Sequence, residues 1–535
     1  MDRKKALIIW ILVLFSSALL SIPFLIPHTG LLMLIAFVPL FQLEKIISQE
    51  SVKKGWIYYY STFLLWNLFT TYWIYNATFA GAVAAVVLNS FQMALIFALF
   101  IWFKRKTKPA LGYLFLILGW LAWEHFYFDS EISWPWLVLG NALATSVKNI
   151  QWYEFTGTLG GSLWILLTNL VLFYIINNLK NINKGVRIII VLYFVLVTVP
   201  IAISQWMYQN YKEASNPKEF VVLQPNIDPY NDKFANMTQF QQDEELFSLA
   251  REAVTDSTDF IVAPETFTSG LIENIPSNNE TYTSLGEFLK KKKTGNILFG
   301  ATSYYIYPGS TVDAAPTFTA RKTESRWYDS YNTAVFLDSS GRHLFYHKSK
   351  LVVLAEYIPY PQYLKFLRSF SIDLGGATGS YGTQAERTVF ESSDKKIRMG
   401  AAICYESIYG DYFRDYILNG ANVMAIITND GWWGNTPGYS QHLRYASLRA
   451  IETRRSIVRS ANTGISALIN QRGDVIQKTG WWEKAFLRGD LNLNSDITTF
   501  VKYGDIIGRV AYASMLLFIG LAILVILKIR VKGIR

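Results

Sequence analysis

Cysteine is almost absent from this chain. Cys404 is the only one in 535 residues. A lone thiol excludes an intramolecular disulfide and any multi-cysteine metal site. Histidine is scarce too. The five histidines are scattered with no pair at metal spacing, so no metal site is expected. Charged residues make up 17% of the chain, below the roughly 25% usual for soluble proteins. Gly160-Gly161 and Gly375-Gly376-Ala377 lack the strand–loop–helix context of a phosphate cradle, so no nucleotide cofactor is expected. Tyr439-Ser440-Gln441-His442 could suggest serine chemistry, but nothing in the sequence orients the pair.

Apolar surface is abundant instead. Hydrophobic residues make up 51% of the chain and aromatics 16%, and tryptophan and tyrosine are favoured at membrane interfaces. Seven runs near 7–26, 30–44, 56–75, 82–103, 110–128, 160–177 and 187–206, and an eighth near 510–527, approach the ~20 apolar residues of a membrane helix. The second is the shortest. Met1-Asp2-Arg3-Lys4-Lys5 opens the chain like a signal peptide, but no clear small-residue cleavage site follows, so the first run is read as a retained helix.

The net charge of +10 follows the same division, so it is read as orientation charge and no nucleic-acid partner is expected. Lys and Arg gather in alternate loops: Arg3 to Lys5; Lys45, Lys53 and Lys54; Lys104 to Lys108; Lys180, Lys184 and Arg187; Lys528 to Arg535. Lys148 is the exception in the intervening loops. This register puts both termini in the cytoplasm and 207–509 outside it. Trp134-Pro135-Trp136 in the loop 129–159 reads as an interfacial aromatic belt or as part of a lipid entrance, and Glu124 and His125 as interfacial residues.

Residues 218–495 differ in pattern. Short β-rich runs at 219–224, 260–263, 296–305, 332–337, 343–347, 398–404, 423–428, 466–470 and 474–478 alternate with helical patterns at 239–254, 281–293, 405–418 and 442–453. Such alternation predicts a layered α/β domain. The expected organisation is a seven-helix membrane domain over 1–210, an extracytoplasmic α/β domain over 218–495, and an eighth helix with a basic tail over 507–535. The polar stretch 306–330 reads as a surface excursion.

Three strand ends carry chemistry: Pro264-Glu265-Thr266, Tyr346-His347-Lys348 and Ile403-Cys404-Tyr405-Glu406. A thiol needs activation to attack an ester or amide carbonyl. A carboxylate can take its proton, and an ammonium can stabilise the oxyanion that forms.

In this order, the residues resemble the nitrilase superfamily, whose members carry a Glu–Lys–Cys triad on an α-β-β-α sandwich. The flanking spans resemble its membrane branch, the apolipoprotein N-acyltransferases. Leu223 to Ile227, Lys348 to Pro359, Ala402 to Glu406, Asn429 to Gly434 and Arg459 to Gly464 carry the likeness. The resemblance implies a multi-pass α-helical membrane domain plus an α/β nitrilase-like domain in a bacterial inner membrane, with the catalytic part periplasmic.

It also implies Glu265 as general base, Lys348 as oxyanion stabiliser, with Lys350 a near competitor, and Cys404 as nucleophile. Glu356, Tyr405, Glu406, Trp432 and Phe234 would support the site or bind substrate. A phospholipid would donate the acyl chain and a diacylglyceryl apolipoprotein would accept it, with no cofactor. A membrane-tethered amidase is the alternative. Two departures stand out: Ala355 replaces a usual glycine before Glu356, and Phe234 is offset by one from a usual tryptophan.

Overall fold

The computed structural model describes residues 3–292, 295–309, 315–323, 326–360 and 380–533; the side chains of Phe234 and of 528–533 fall outside that description. Gly375-Gly376-Ala377 and parts of the 306–330 excursion lie outside the described residues. The chain forms two compact units. One comprises Met1–Tyr75, Ala82–Tyr211 and Tyr503–Arg535; the other comprises Asn76–Gly81 and Lys212–Lys502.

The first unit is helical. Its long helices are Arg3–Leu25, Val38–Gln49, Trp56–Thr71, Phe79–Lys106, Pro109–Asp129, Tyr153–Asn178, Lys184–Asn210 and Ile506–Gly533. Among the described residues, seven helical segments are long and apolar enough to cross a membrane. The run expected at 56–75 is interrupted: a helix of 16 residues ends at Thr71, and a short helix, Ile74–Ala77, follows.

Buried amides tie these helices together. Asn169 donates to the Met33 carbonyl at 2.8 Å and accepts from the Phe37 N–H at 2.8 Å, satisfying backbone beside the turn Gly30–Leu34. In an apolar surround each such group left unpaired would cost several kcal/mol. The basic loops meet one another: Lys5 pairs with Glu50 at 2.9 Å, Lys104 with Glu44, and Arg105 donates to Ser48 at 3.1 Å.

Two interfacial expectations are corrected here. Glu124 is buried, because the chain after Trp136 folds back and Leu139 N–H donates to its Oε1 at 2.8 Å, beside Trp120 Nε1 at 3.1 Å. Neighbouring His125 is half-buried and pairs with Asp505 at 2.8 Å. Trp136 is not in a belt. It is fully buried, with its ring centroid 4.9 Å from that of Trp73.

The second unit contains fourteen strands among the described residues: β1 (Pro217–Gln224), β2 (Phe260–Val262), β3 (Thr268–Ile272), β4 (Asn296–Ile306), β5 (Arg321–Lys322), β6 (Trp327–Asp338), β7 (His343–His347), β8 (Val389–Glu391), β9 (Arg398–Ile403), β10 (Val423–Thr428), β11 (Ile457–Ala461), β12 (Ala467–Ile469), β13 (Val475–Lys478) and β14 (Ala485–Asn492). One sheet runs β14-β1-β2-β4-β6-β5, with β3 on β4 and β7 on β6; the other runs β13-β12-β11-β10-β9-β8. β1, β2 and β4 are parallel, as are β9, β10 and β11. Parallel neighbours need crossovers. Gln239–Ala253 and Glu280–Lys292 supply them in the first sheet, and Gly410–Leu418 and Pro437–Thr453 in the second.

Alternation along the strands builds the layers. Val221, Leu223, Ile261, Ile297 and Phe299 pack with Leu246, Ala250, Leu285 and Leu289 of the first two crossover helices. The intervening Phe220 and Val222 are buried as well, as in a sheet covered on both faces. Between the sheets, Phe336 stacks on Phe390 at 5.7 Å, and Ser460 Oγ donates to the Leu223 carbonyl at 2.9 Å. The result is the expected α-β-β-α sandwich. The 466–478 hairpin is not the last strand pair, as the sequence suggested. β14 follows it and pairs antiparallel with the whole of β1.

Candidate active site

Glu265, Lys348 and Cys404 each follow a strand end, of β2, β7 and β9 respectively. Gly300 on β4 lets the Glu265 backbone come close: a Cβ there would lie 2.5 Å from Glu265 Cα and 2.3 Å from Thr266 N. Cys404 follows β9 with φ 50°. A non-glycine residue held in the left-handed region costs about 1–3 kcal/mol and persists only where its surroundings over-determine it.

One buried cluster joins Lys348, Glu265, Glu356 and Asn332. Lys348 Nζ donates to Glu265 Oε1 at 3.1 Å and to Glu356 Oε1 at 2.8 Å. Asn332 Nδ2 bridges the same two oxygens at 2.8 and 3.0 Å. Glu265 Oε2 accepts the Asn429 N–H at 3.1 Å, and Glu356 Oε2 accepts the Val352 N–H at 2.8 Å. Burial works against the Lys348 ammonium, but Glu265, Glu356 and Cys404 outweigh it and hold its pKa well above the usual lysine value. Burial pushes the Cys404 thiol well above its ordinary range; Glu265 adds to the rise, and Lys348 opposes it. A nucleophilic role for Cys404 would therefore require removal of its thiol proton.

Lys350, the competitor for the lysine position, points elsewhere. Its ammonium lies 4.9 Å from the Tyr409 ring centroid. Glu356 needs no glycine before it, because the left-handed residue of its turn is Leu354, with φ 65°. Glu406 is fully buried. Its Oε1 accepts from Tyr346 OH at 2.7 Å, Tyr412 OH at 2.5 Å and Ser349 N–H at 2.7 Å, and its Oε2 accepts from Ile403 N–H at 2.8 Å. Burial raises its pKa, and those donors oppose the rise. Glu406 thereby ties the backbone after Lys348 to the strand carrying Cys404.

Tyr405 is buried against Tyr409, with ring centroids 5.3 Å apart. Trp432 is half-buried and stands edge-on to Tyr230 at 5.1 Å; Tyr230 OH donates to the Trp432 carbonyl at 2.7 Å. The backbone of Phe234 lies in the helical turn Asp232–Asn236, and its side chain lies outside the described residues.

Several site residues were not singled out in the sequence. Asn332 is one. Lys233 is another: it is buried, donates to Thr266 Oγ1 at 3.1 Å, and burial lowers its pKa to about 8 against the pull of Glu265. A third group surrounds His442, for which the sequence offered no orienting partner. His442 Nδ1 meets Asp430 Oδ1 at 3.0 Å, and its Nε2 meets Ser407 Oγ at 2.9 Å and the Cys404 carbonyl at 3.1 Å. Ser440 is not its partner. Arg459 donates to Asp430 Oδ2 at 2.6 Å and Thr428 to Oδ1 at 2.7 Å. Burial would raise the Asp430 pKa, but Arg459 and His442 hold it well below the carboxylate range.

Donor atoms of Cys404, Asp430 and His442 lie within 4.8 Å of one another, close enough to be considered for a metal. The Arg459 guanidinium already neutralises Asp430, and both ring nitrogens of His442 are hydrogen-bonded, so these residues do not fit a cation.

A carboxylate, an ammonium and a thiol follow strand ends of a two-sheet sandwich, a set of groups suited to acyl transfer. The carbon-nitrogen hydrolase family model matches residues 222–497, and the chain belongs to that family. A second model, the apolipoprotein N-acyltransferase N-terminal domain, matches residues 16–171, and together the two matches assign the chain to the apolipoprotein N-acyltransferase branch. An apolipoprotein N-acyltransferase of Chlorobaculum tepidum is 29% identical over 92% of this chain and 95% of its own length. Another, from Geobacter metallireducens, is 27% identical over 78% of this chain and 74% of its own. The crystal structure of Saccharomyces cerevisiae Nit3, a member of branch 10 of the nitrilase superfamily, aligns with 53% of this chain and 92% of its own at 16% identity, with a TM-score of 0.36.

Proposed function

We propose that this membrane protein N-acylates lipoproteins in two transfers through Cys404. In the first, Cys404 Sγ attacks the acyl ester carbonyl of a membrane phospholipid while Glu265 takes the thiol proton. Lys348 stabilises the oxyanion. The ester C–O bond then breaks, the proton passes to the departing alkoxide, and a lysophospholipid leaves behind a thioester. In the second, the N-terminal amine of a diacylglyceryl-cysteine lipoprotein attacks the thioester. An amide C–N bond forms, the C–S bond breaks, and the amine proton returns through Glu265 to the thiol.

The observation that carries this reading is the Lys348 ammonium shared between Glu265 and Glu356 beside a buried thiol that senses both Glu265 and Lys348. Glu356 and Asn332 hold the lysine and the base, Glu406 holds the nucleophile's backbone, and Tyr405, Trp432 and Phe234 serve acyl or acceptor binding. The phospholipid ester is already activated, so neither metal nor nucleotide is required. Both substrates stay anchored in lipid, which avoids extracting acyl chains at about 0.8 kcal/mol per CH₂.

The catalytic domain, 218–495, lies on the periplasmic side of the inner membrane in this reading. The helices over 1–210 and 507–535 anchor it, with both termini cytoplasmic. The meeting of the basic loops through Lys5, Lys104 and Arg105 supports a common cytoplasmic end. A tethered amidase is the less favoured reading, because the matching N-terminal domain model describes acyltransferases.

The test combines purified protein, phospholipid and a diacylated lipopeptide. Mass spectrometry should find Cys404 heavier by one acyl chain before the lipopeptide is added, and the lipopeptide heavier by that chain afterwards. An unmodified thiol in active protein, or full turnover by Cys404→Ala, would sink the thioester route.

A further inference from the structure

We infer that His442 is a positioning residue for Cys404, and that it acts through the nucleophile's own carbonyl. The inference rests on Cys404 being the acyl-accepting group. Cys404 stands at φ 50°, and something must keep it there. Its carbonyl oxygen accepts two side-chain hydrogen bonds, from Ser407 Oγ at 2.7 Å and from His442 Nε2 at 3.1 Å. Ser407 spends its single proton on that carbonyl, so its oxygen is an acceptor toward His442. His442 Nε2–H therefore donates to both.

The other ring nitrogen is clamped. His442 Nδ1 lies 3.0 Å from Asp430 Oδ1 and 3.0 Å from an Arg459 guanidinium nitrogen, and Asp430 in turn is held by Arg459 and Thr428. The Trp433 ring stands edge-on to the imidazole at 5.5 Å. His442, Asp430 and Arg459 are all buried. The segment 428–433 holds both reacting groups. Asn429 N–H fixes Glu265 Oε2, and Asp430 fixes Cys404 through His442. The imidazole is the rigid link that sets where Sγ stands relative to its base.

The experiment measures single-turnover acylation of Cys404 by mass, with steady-state kcat and KM for a lipopeptide and a thermal midpoint, in His442→Phe, His442→Gln, Ser407→Ala and Cys404→Ala. His442→Phe is expected to lower kcat about 100-fold with KM within about twofold. His442→Gln, whose amide N–H can reach the carbonyl in place of Nε2–H, should recover to within about tenfold of wild type. Ser407→Ala, a small deletion beside the same carbonyl, should lower kcat with KM unchanged.

Wild-type acylation by His442→Phe or by Ser407→Ala would overturn the inference. So would equal losses in the Phe and Gln variants, which would mark His442 as packing alone. Acyl transfer surviving in Cys404→Ala would instead overturn the nucleophile reading, whatever the His442 variants do.

Discussion

The Lys348 ammonium lies closer to Glu356, at 2.8 Å, than to Glu265, at 3.1 Å. The proposed base therefore does not own its lysine. Glu356 draws the ammonium toward itself, and Asn332 caps both carboxylates on the same oxygens. Replacing Glu356 by Gln removes one charge and leaves a single acceptor oxygen where Lys348, Asn332 and Val352 N–H now share two. Lys348 should then tighten on Glu265 and make it a weaker base. The expected result is a loss of about 10–100-fold in the rate of thioester formation, read by quenched mass spectrometry, with a lower thermal midpoint from the donor left facing the amide NH₂.

Lys348→Arg should fail although it keeps the charge. A planar guanidinium cannot place one nitrogen between two carboxylate oxygens as a compact ammonium does. A fall in kcat of about 1,000-fold is expected. Lipopeptide turnover near the wild-type rate would contradict the oxyanion role.

The Cys404 thiol gives a prediction whose sign can be worked out. A free thiol titrates near about 8.5, and this one is raised by burial and then by Glu265, with Lys348 opposing. At pH 8 the resting residue should alkylate with iodoacetamide more slowly than a model thiol. Glu265→Gln removes a raising charge, so alkylation at fixed pH should speed up even as acyl transfer collapses. Lys348→Met removes the lowering charge and should slow alkylation further. Parallel losses of alkylation and of transfer in Glu265→Gln would break this account.

Glu406→Gln tests the buried carboxylate behind the nucleophile. Its two oxygens each accept a backbone N–H, from Ser349 and from Ile403. An amide offers one oxygen only, so one N–H is left facing an NH₂ group. An orphaned buried donor costs about 1–3 kcal/mol. The thermal midpoint should fall by several degrees, with acylation of Cys404 lost alongside.

What the sequence made legible follows its local rules. The strands before Glu265 and Cys404 are continuous apolar runs, legible as buried strands, and Glu265, Lys348 and Cys404 each follow the strand that positions them. Asn332 was hidden because it is 67 residues from Glu265 and 24 from Glu356; only the antiparallel return of β6 brings them together. Arg459 lies within the fully buried strand β11, and its partner Asp430 is 29 residues away. His442 looked unoriented because the acid that orients it precedes it by 12 residues across a loop and a helix start. Glu124 was misread for a related reason. Local pattern put it at a helix end facing the interface, whereas the returning chain at Leu139 covers it. β14 was missed because a half-exposed edge strand has a weak pattern of its own, and its register is set by β1.

The segment from Thr428 to Trp433 touches Glu265 through one backbone amide and Cys404 through the His442 imidazole. Any drift of that segment is then a common-mode displacement of both groups. Their separation is insulated from it, as two instruments bolted to one rail keep their spacing when the rail moves. The proposed acyl transfer, which would admit a long, mobile chain at each turnover, can tolerate motion around the site, provided the distance between Glu265 and Cys404 does not share in it.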